Sequence, residues 1–196
     1  PDNASWAEAG AFPVPALTAE QVVSEVLDVQ SGETILVNGA GGVTGGMIVE
    51  LAANSSARVI ATASESSAER VMALGADVVV DYHDPEWTSL ARDAARSSGI
   101  RAAANAASGG EADALSTLVD GGRLATITGA PPPEERGISI TNVIVRPDGD
   151  ELRVLAASLA EGKLHIDIRA TYPLTRAPEA LAQATKGSGS AIVLEP

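Results

Sequence analysis

The sequence predicts an α/β fold, a doubly wound parallel sheet with helices on both faces. Three observations lead there. An apolar run, Thr34-Ile35-Leu36-Val37-Asn38, enters the glycine cluster Gly39-Ala40-Gly41-Gly42-Val43-Thr44-Gly45-Gly46 and leaves as an apolar helical stretch, Met47-Ile48-Val49-Glu50-Leu51-Ala52. Strand-like and helix-like segments then alternate, the pattern of parallel strands joined by crossover helices. The length, 196 residues, gives room for one domain with a sizeable core, or one domain with part of another.

The elements follow in order. Residues 1–15 form a polar, proline-containing lead-in, and a helix over 18–29 carries Val22, Val23, Val26 and Leu27 on one face. Gly32 marks the turn into the first strand, 34–38. Residues 58–62 form a strand, and 68–74 a helix stopped by Gly75. A strand over 77–81 precedes a helix over 85–96, with proline near its start. Residues 101–106 read as a weak, alanine-rich strand. A helix over 111–119 ends at Gly121-Gly122, and a strand over 123–128 ends at Gly129. After the break at Pro131-Pro132-Pro133, Ile138, Ile140, Val143 and Val145 alternate with polar neighbours, which suggests an edge strand over 138–145. Residues 151–160 are helical, and the acids of 148–151 read as its solvated start. The tail holds a strand over 164–168, a helix over 177–185, a flexible surface turn over 187–190 and a last strand over 191–194.

Composition excludes several functions. The net charge of −13 argues against non-specific binding to nucleic acid or to an anionic membrane. No apolar run approaches the roughly 20 residues of a membrane helix, and the start does not resemble a signal peptide. The chain begins at Pro1 and reads as a processed product or an excised piece. Cysteine is absent, which removes disulfides and zinc–thiolate sites and fits a reducing cytoplasm. His83 and His165 read as surface histidines, so no metal site is expected.

A strand–glycine turn–helix grips a dinucleotide pyrophosphate. Glycines let backbone N–H groups approach phosphate oxygens, and the helix start adds roughly half a positive charge. The motif has Gly39 and Gly41, but Thr44 holds the third position, which predicts a looser helix–strand approach. Rival chemistries lack their residues. No lysine lies in 38–48 for a Walker loop, and no G-x-S-x-G elbow exists. Neither Tyr82 nor Tyr172 has a lysine four residues on. An acid at the end of the second strand selects NAD, yet Ala63 stands there. Ser64, Ser66, Ser67 and Arg70 offer donors and charge for a 2′-phosphate, with Glu65 as an opposing acid. The expected cofactor is NADPH.

These residues resemble the cofactor domain of the medium-chain dehydrogenase/reductase superfamily, in its zinc-independent quinone oxidoreductase and enoyl reductase branch. Residues 31–43, SGETILVNGAGGV, are similar to the family's "PGETVLVHGAGGV". Residues 58–64, then Leu74-Gly75-Ala76-Asp77 and Asp81-Tyr82, look like "RVIATAS…LGAD…DY". Gly121-Gly122-Arg123-Leu124, Glu161-Gly162-Lys163-Leu164 and Tyr172-Pro173-Leu174 fit its later segments. The resemblance implies a Rossmann sheet in strand order 3-2-1-4-5-6. It also implies a division into a lead-in (1–30), a dinucleotide-binding domain (31–146) and a C-terminal part (147–196) returning to an upstream GroES-like domain that is missing here.

The resemblance further implies residue roles. Gly39, Ala40, Gly41, Gly42, Val43 and Thr44 would line the pyrophosphate. Ser64 and Tyr82 would lie at the adenosine phosphate end, where Arg70 would stand in for the family's lysine, replaced here by Ala68. Asn105 and Ala106 would flank the adenine ribose, Thr128 and Gly129 the nicotinamide ribose, and Thr18 would face the nicotinamide. The plain alternatives are a helix N-cap for Thr18, a satisfied strand-end amide for Asn105 and a half-buried ring for Tyr82. The implied reaction is hydride transfer from NADPH to a quinone or an α,β-unsaturated carbonyl, with no catalytic acid or base assigned. The competing reading is a nucleotide-binding module without turnover, needing a partner domain. A homodimer through the edge strand is expected.

Overall fold

A capping box opens the first helix of the computed structural model, which describes residues 4–129, 131–185, 187 and 189–196. Ser5 accepts the Glu8 N–H and the Glu8 carboxylate accepts the Ser5 N–H, so α1 (Trp6–Ala11) starts inside the expected lead-in. α2 (Pro13–Glu20) follows with proline in its first turn. It runs on as a π-helical turn, Gln21–Val26. The helix therefore begins ahead of Thr18, and Thr18 lies within it rather than capping it. Phe12, Ala16, Leu17, Val22, Val23 and Leu27 are buried in the main core.

The expected alternation then appears. β1 (Thr34–Asn38) leads to α3 (Val43–Asn54), β2 (Arg58–Ala63) to α4 (Glu65–Ala73), β3 (Val78–Asp81) to α5 (Trp87–Ala94), and β4 (Ile100–Asn105) to α6 (Glu111–Thr117). β5 (Leu118–Thr126) and β6 (Ser139–Asn142) complete a six-stranded sheet in the order β3-β2-β1-β4-β5-β6, every pair parallel. This is the predicted order. Every residue of β1 is buried, as a central strand covered on both faces requires. Ile35 and Val37 join one core cluster with α2 and α3, while Leu36 joins the other beneath α5 and α6, following the two-residue period of a strand.

Two boundaries differ from the sequence expectation. α6 stops at Thr117, because Leu118 already pairs with Ile100 at the start of β5. The Arg136 guanidinium accounts for the early stop by donating to the Leu115 and Leu118 carbonyls at 2.7 and 2.6 Å. The strand expected over 164–168 is absent. Leu164 and Ile166 alternate as in a strand but are buried against the main core, and the strand begins only at Ile168.

After α7 (Gly149–Ala160), which Asp148 caps by accepting the Asp150 and Glu151 N–H groups, β7 (Ile168–Pro173), α8 (Ala177–Ala184) and β8 (Ala191–Glu195) close the chain. β7 and β8 form a separate two-stranded parallel sheet. No helix among the described residues is long and apolar enough to cross a membrane.

Candidate functional site

β1 sends the chain to α3 on one face of the sheet, and its neighbour β4 sends it to α6 on the other. Such a switch point opens a crevice at the carboxyl ends of the strands. A cavity of about 790 Å³ lies there, lined on one side by Gly39, Gly41 and Gly42.

The turn is held by backbone packing. Gly39 has φ +86°, and a Cβ on it would stand 2.8 Å from the Ala106 carbonyl carbon, so only glycine fits. A Cβ on Gly45 would stand 2.2 Å from the Gly39 carbonyl oxygen. Thr44 therefore does not loosen the approach of helix to strand, because the close contact falls on Gly45.

Amide accounting shows what the turn can bind. The Gly39 N–H donates to the Thr62 hydroxyl at 2.9 Å, the Ala40 N–H to the Thr62 carbonyl, and the Gly42 N–H to the Gly39 carbonyl. Gly46 is the first residue of α3 whose N–H reaches back, to Gly42. Among the described residues, the N–H groups of Gly41, Val43, Thr44 and Gly45 have no acceptor. Four unclaimed donors at the positive end of a helix suit an anionic diphosphate.

A second donor cluster lies at the end of β2. The Ser64 hydroxyl is 3.0 Å from those of both Ser66 and Ser67, and all three line the cavity. Arg70, one turn along α4, donates to the Gly41 carbonyl at 2.6 Å and also lines the cavity. Glu65 is not among the lining residues. Tyr82 and Trp87 also line the cavity. The Tyr82 ring packs on His83, centroids 4.1 Å apart, and the His83 backbone N–H, with its ring, holds the Asp81 carboxyl below its usual range. The amides, hydroxyls and guanidinium are the donor set a phosphorylated dinucleotide requires, so the residues fit that group.

The other predicted residues fall elsewhere. Ala106 lines the cavity, but Asn105, Thr128, Gly129, Thr18, Ala40 and Thr44 do not. Asn105 is 1 % exposed, and its amide is committed to Asn38, Ala107 and Thr128. The Thr18 hydroxyl donates to the Val14 carbonyl at 2.7 Å. Val43 lines a smaller adjoining cavity of about 260 Å³, shared with Glu50, Arg70 and His165. There His165 bonds Glu50 through its backbone N–H and, at 2.5 Å, its ring; burial nevertheless raises the Glu50 carboxyl above its usual range. The expected surface turn also differs: Gly187, Gly189 and Ser190 line the main cavity, and a Cβ on Gly189 would stand 2.4 Å from the Gly41 carbonyl oxygen. Ser188 lies outside the described residues.

Sequence reasoning missed Thr62, Trp87 and the Ala107–Gly110 segment. The pair Gly109-Gly110 beyond β4 was the available signal, since glycines mark close backbone approach. Among the described residues, no three His, Asp or Glu side chains gather as a metal site would need.

A family profile described as zinc-binding dehydrogenase matches residues 74–189. The chain belongs to this family. It is 29% identical, over 100% of its length, to a chloroplast envelope quinone oxidoreductase homolog of Arabidopsis thaliana, of which it covers 64%. It is 30% identical, over 93% of its length, to an NADPH-dependent alkenal/one oxidoreductase of the same plant, of which it covers 45%. Among solved structures it superposes on an NAD-dependent alcohol dehydrogenase with a TM-score of 0.90 and 29% identity, covering 60% of that chain. A mycobacterial protein complexed with NADPH gives a TM-score of 0.82 and 25% identity, with 66% of that chain covered. The chain thus spans about two thirds or less of these family members.

Proposed function

We propose that the chain is the NADPH-binding part of a zinc-independent oxidoreductase that transfers hydride to a quinone or to the β-carbon of an α,β-unsaturated carbonyl. One observation carries the reading: the turn leaves four amides unclaimed, its Gly41 lines the same cavity as three serine hydroxyls and Arg70, and Ala63 occupies the place of a ribose-binding acid. The amides take the diphosphate, and the hydroxyls with Arg70 take a 2′-phosphate. When bound, the cofactor supplies hydride from nicotinamide C4.

The chain's residues bind and orient. The turn from Gly39 to Thr44 holds the pyrophosphate. Ser64, Arg70 and Tyr82 form the adenosine phosphate end. Ala106 and the backbone at Asn105 flank the adenine ribose, since the Asn105 amide is already engaged. Thr128 and Gly129 meet the nicotinamide ribose. Thr18, whose hydroxyl proton goes to Val14, faces the nicotinamide as an acceptor only. The relative named NADPH-dependent and the neighbour complexed with NADPH support this cofactor; the neighbour named NAD-dependent makes the 2′-phosphate end the part to test. These 196 residues contribute no cysteine to a zinc site.

The chain by itself is a cofactor domain that needs a partner. Residues 31–146 form the dinucleotide-binding domain, while 1–30 and 147–196 lead to and from an upstream GroES-like domain. Trp6, Val14, Leu174 and Leu181 are exposed apolar residues in those two parts, as a face awaiting a partner would present. Among the described residues β6 pairs only with β5, and Ile144 beside it is 82% exposed, which supports a homodimer through residues 138–145. The lack of cysteine supports a reducing compartment, the cytoplasm or an organelle such as the chloroplast named for two relatives. The test is NADPH consumption with a model quinone and a model enone. The isolated chain should bind NADPH and reduce neither; clear reduction by these residues alone would overturn the need for a partner.

A further inference from the structure

Five buried or half-buried polar side chains run beneath the crevice, from the glycine turn to the end of β5. The Gly39 N–H donates to the Thr62 hydroxyl at 2.9 Å. That hydroxyl donates to the Asn38 side-chain oxygen at 2.7 Å. The Asn38 amide donates to the Asn105 side-chain oxygen at 2.8 Å. The Asn105 amide donates to the Thr128 hydroxyl at 3.0 Å, and Thr128 donates to the Glu111 carboxylate at 2.8 Å. Every bond points the same way, and the last acceptor is an anion. In a low-dielectric interior such a chain polarises each member in turn, and a missing link leaves its neighbours unpaired.

The surroundings are shaped around this relay. A Cβ on Gly110 would stand 2.4 Å from the Asn38 amide nitrogen and 3.1 Å from the Asn105 side-chain oxygen, so the loop after β4 can close over the two amides only as bare backbone. Thr62, Asn38 and Asn105 are 1%, 3% and 1% exposed. Thr62 and Asn38 touch the cavity wall, but their polar side-chain atoms are engaged with each other and with Gly39, Asn105 and Gly110, so they act through the groups they hold.

We propose that Thr62, Asn38 and Asn105 are positioning residues that fix the glycine turn at a set distance from Thr128. This rests on the NADPH reading above, in which the turn meets the pyrophosphate and Thr128 the nicotinamide ribose. The relay has two effects. It withholds the Gly39 amide from the phosphate, leaving the amides of Gly41, Val43, Thr44 and Gly45 as the donors. It also presets the spacing between the two ends of the crevice, so a ligand that spans both finds them already in register.

The test compares a ligand that spans the crevice with one that fills half of it. Thr62→Val keeps the shape and removes the hydroxyl; Thr62→Ser keeps the hydroxyl. Affinities for NADPH and for 2′,5′-ADP are measured by calorimetry on each chain, and hydrogen exchange of the Gly39 amide is followed without ligand. Thr62→Val should weaken NADPH about tenfold or more, the loss of one buried hydrogen bond. It should weaken 2′,5′-ADP by less than about threefold and speed Gly39 exchange. Thr62→Ser should restore all three. Asn38→Ala breaks the middle of the relay at a residue given no contact with the cofactor, and should give the same split if Thr62→Val does not fold. Equal weakening of both ligands, or no weakening of NADPH, would overturn the positioning role. A parent chain that is folded, protects Gly39 and binds no NADPH would instead defeat the cofactor reading.

Discussion

Replacing Gly45 by alanine tests how tightly α3 must sit on the turn. The added methyl would lie 2.2 Å from the Gly39 carbonyl oxygen, 2.8 Å from the Gly39 carbonyl carbon and 3.0 Å from the Ala40 Cα. All three are backbone atoms, so no side chain can swing aside. The turn and helix must part by about 1 Å to approach ordinary contact distances, and overpacking of this kind costs about 1–3 kcal/mol of stability. The same displacement moves the free amides off the diphosphate. Each hydrogen bond to a charged group is worth about 1.5–3 kcal/mol, so losing even one weakens NADPH about ten- to hundredfold. Trp87 lines the cavity while Trp6 is 90% exposed, so quenching of the buried tryptophan reports binding, with circular dichroism checking the fold. Thr44→Gly is the control and should stay within about threefold of the parent. A folded Gly45→Ala chain that binds NADPH as well as the parent would refute the reasoning.

Three further outcomes are expected. Arg70→Met should lower the preference for NADPH over NADH about tenfold by removing a charged partner of the 2′-phosphate; equal loss for both cofactors, in paired calorimetric titrations, would mean that Arg70 acts only through the Gly41 carbonyl. Glu50 has its carboxyl raised by burial, so its contribution to stability is fully present below the unfolded value and is lost as pH rises through the folded one. The melting temperature of Glu50→Gln relative to the parent should therefore climb from pH 4.5 towards neutrality, and parallel melting curves would contradict this. Ile144→Glu should convert a dimer to a monomer by light scattering, and a parent chain that is already monomeric when concentrated would remove the dimer.

What could be read from the sequence was local. The run 34–38 entering the glycine cluster, and the repeated alternation after it, located β1 to β6 along the chain, while their order in the sheet came from the family resemblance. Ser64, Ser66, Ser67 and Arg70 were recognisable as donors because they follow the second strand. The errors came from contacts distant in sequence. Arg136 ends α6 from beyond β5, and nothing within 111–119 records that. Leu164 and Ile166 carry a strand's alternation because both are buried in the main core, while the strand itself starts at Ile168. The partner that satisfies the Asn105 amide could not be read locally either: Asn38, 67 residues away, donates to its side-chain oxygen. Gly189 appeared as part of a loose turn, yet it packs on the Gly41 carbonyl.

The most direct test titrates the folded chain with NADPH and with NADH in a calorimeter. A saturable heat with NADPH, and affinity for NADH at least about tenfold weaker, is the predicted result. Silence with both coenzymes, or a preference for NADH, would contradict the assignment of the turn amides, the serine cluster and Arg70 to a phosphorylated dinucleotide.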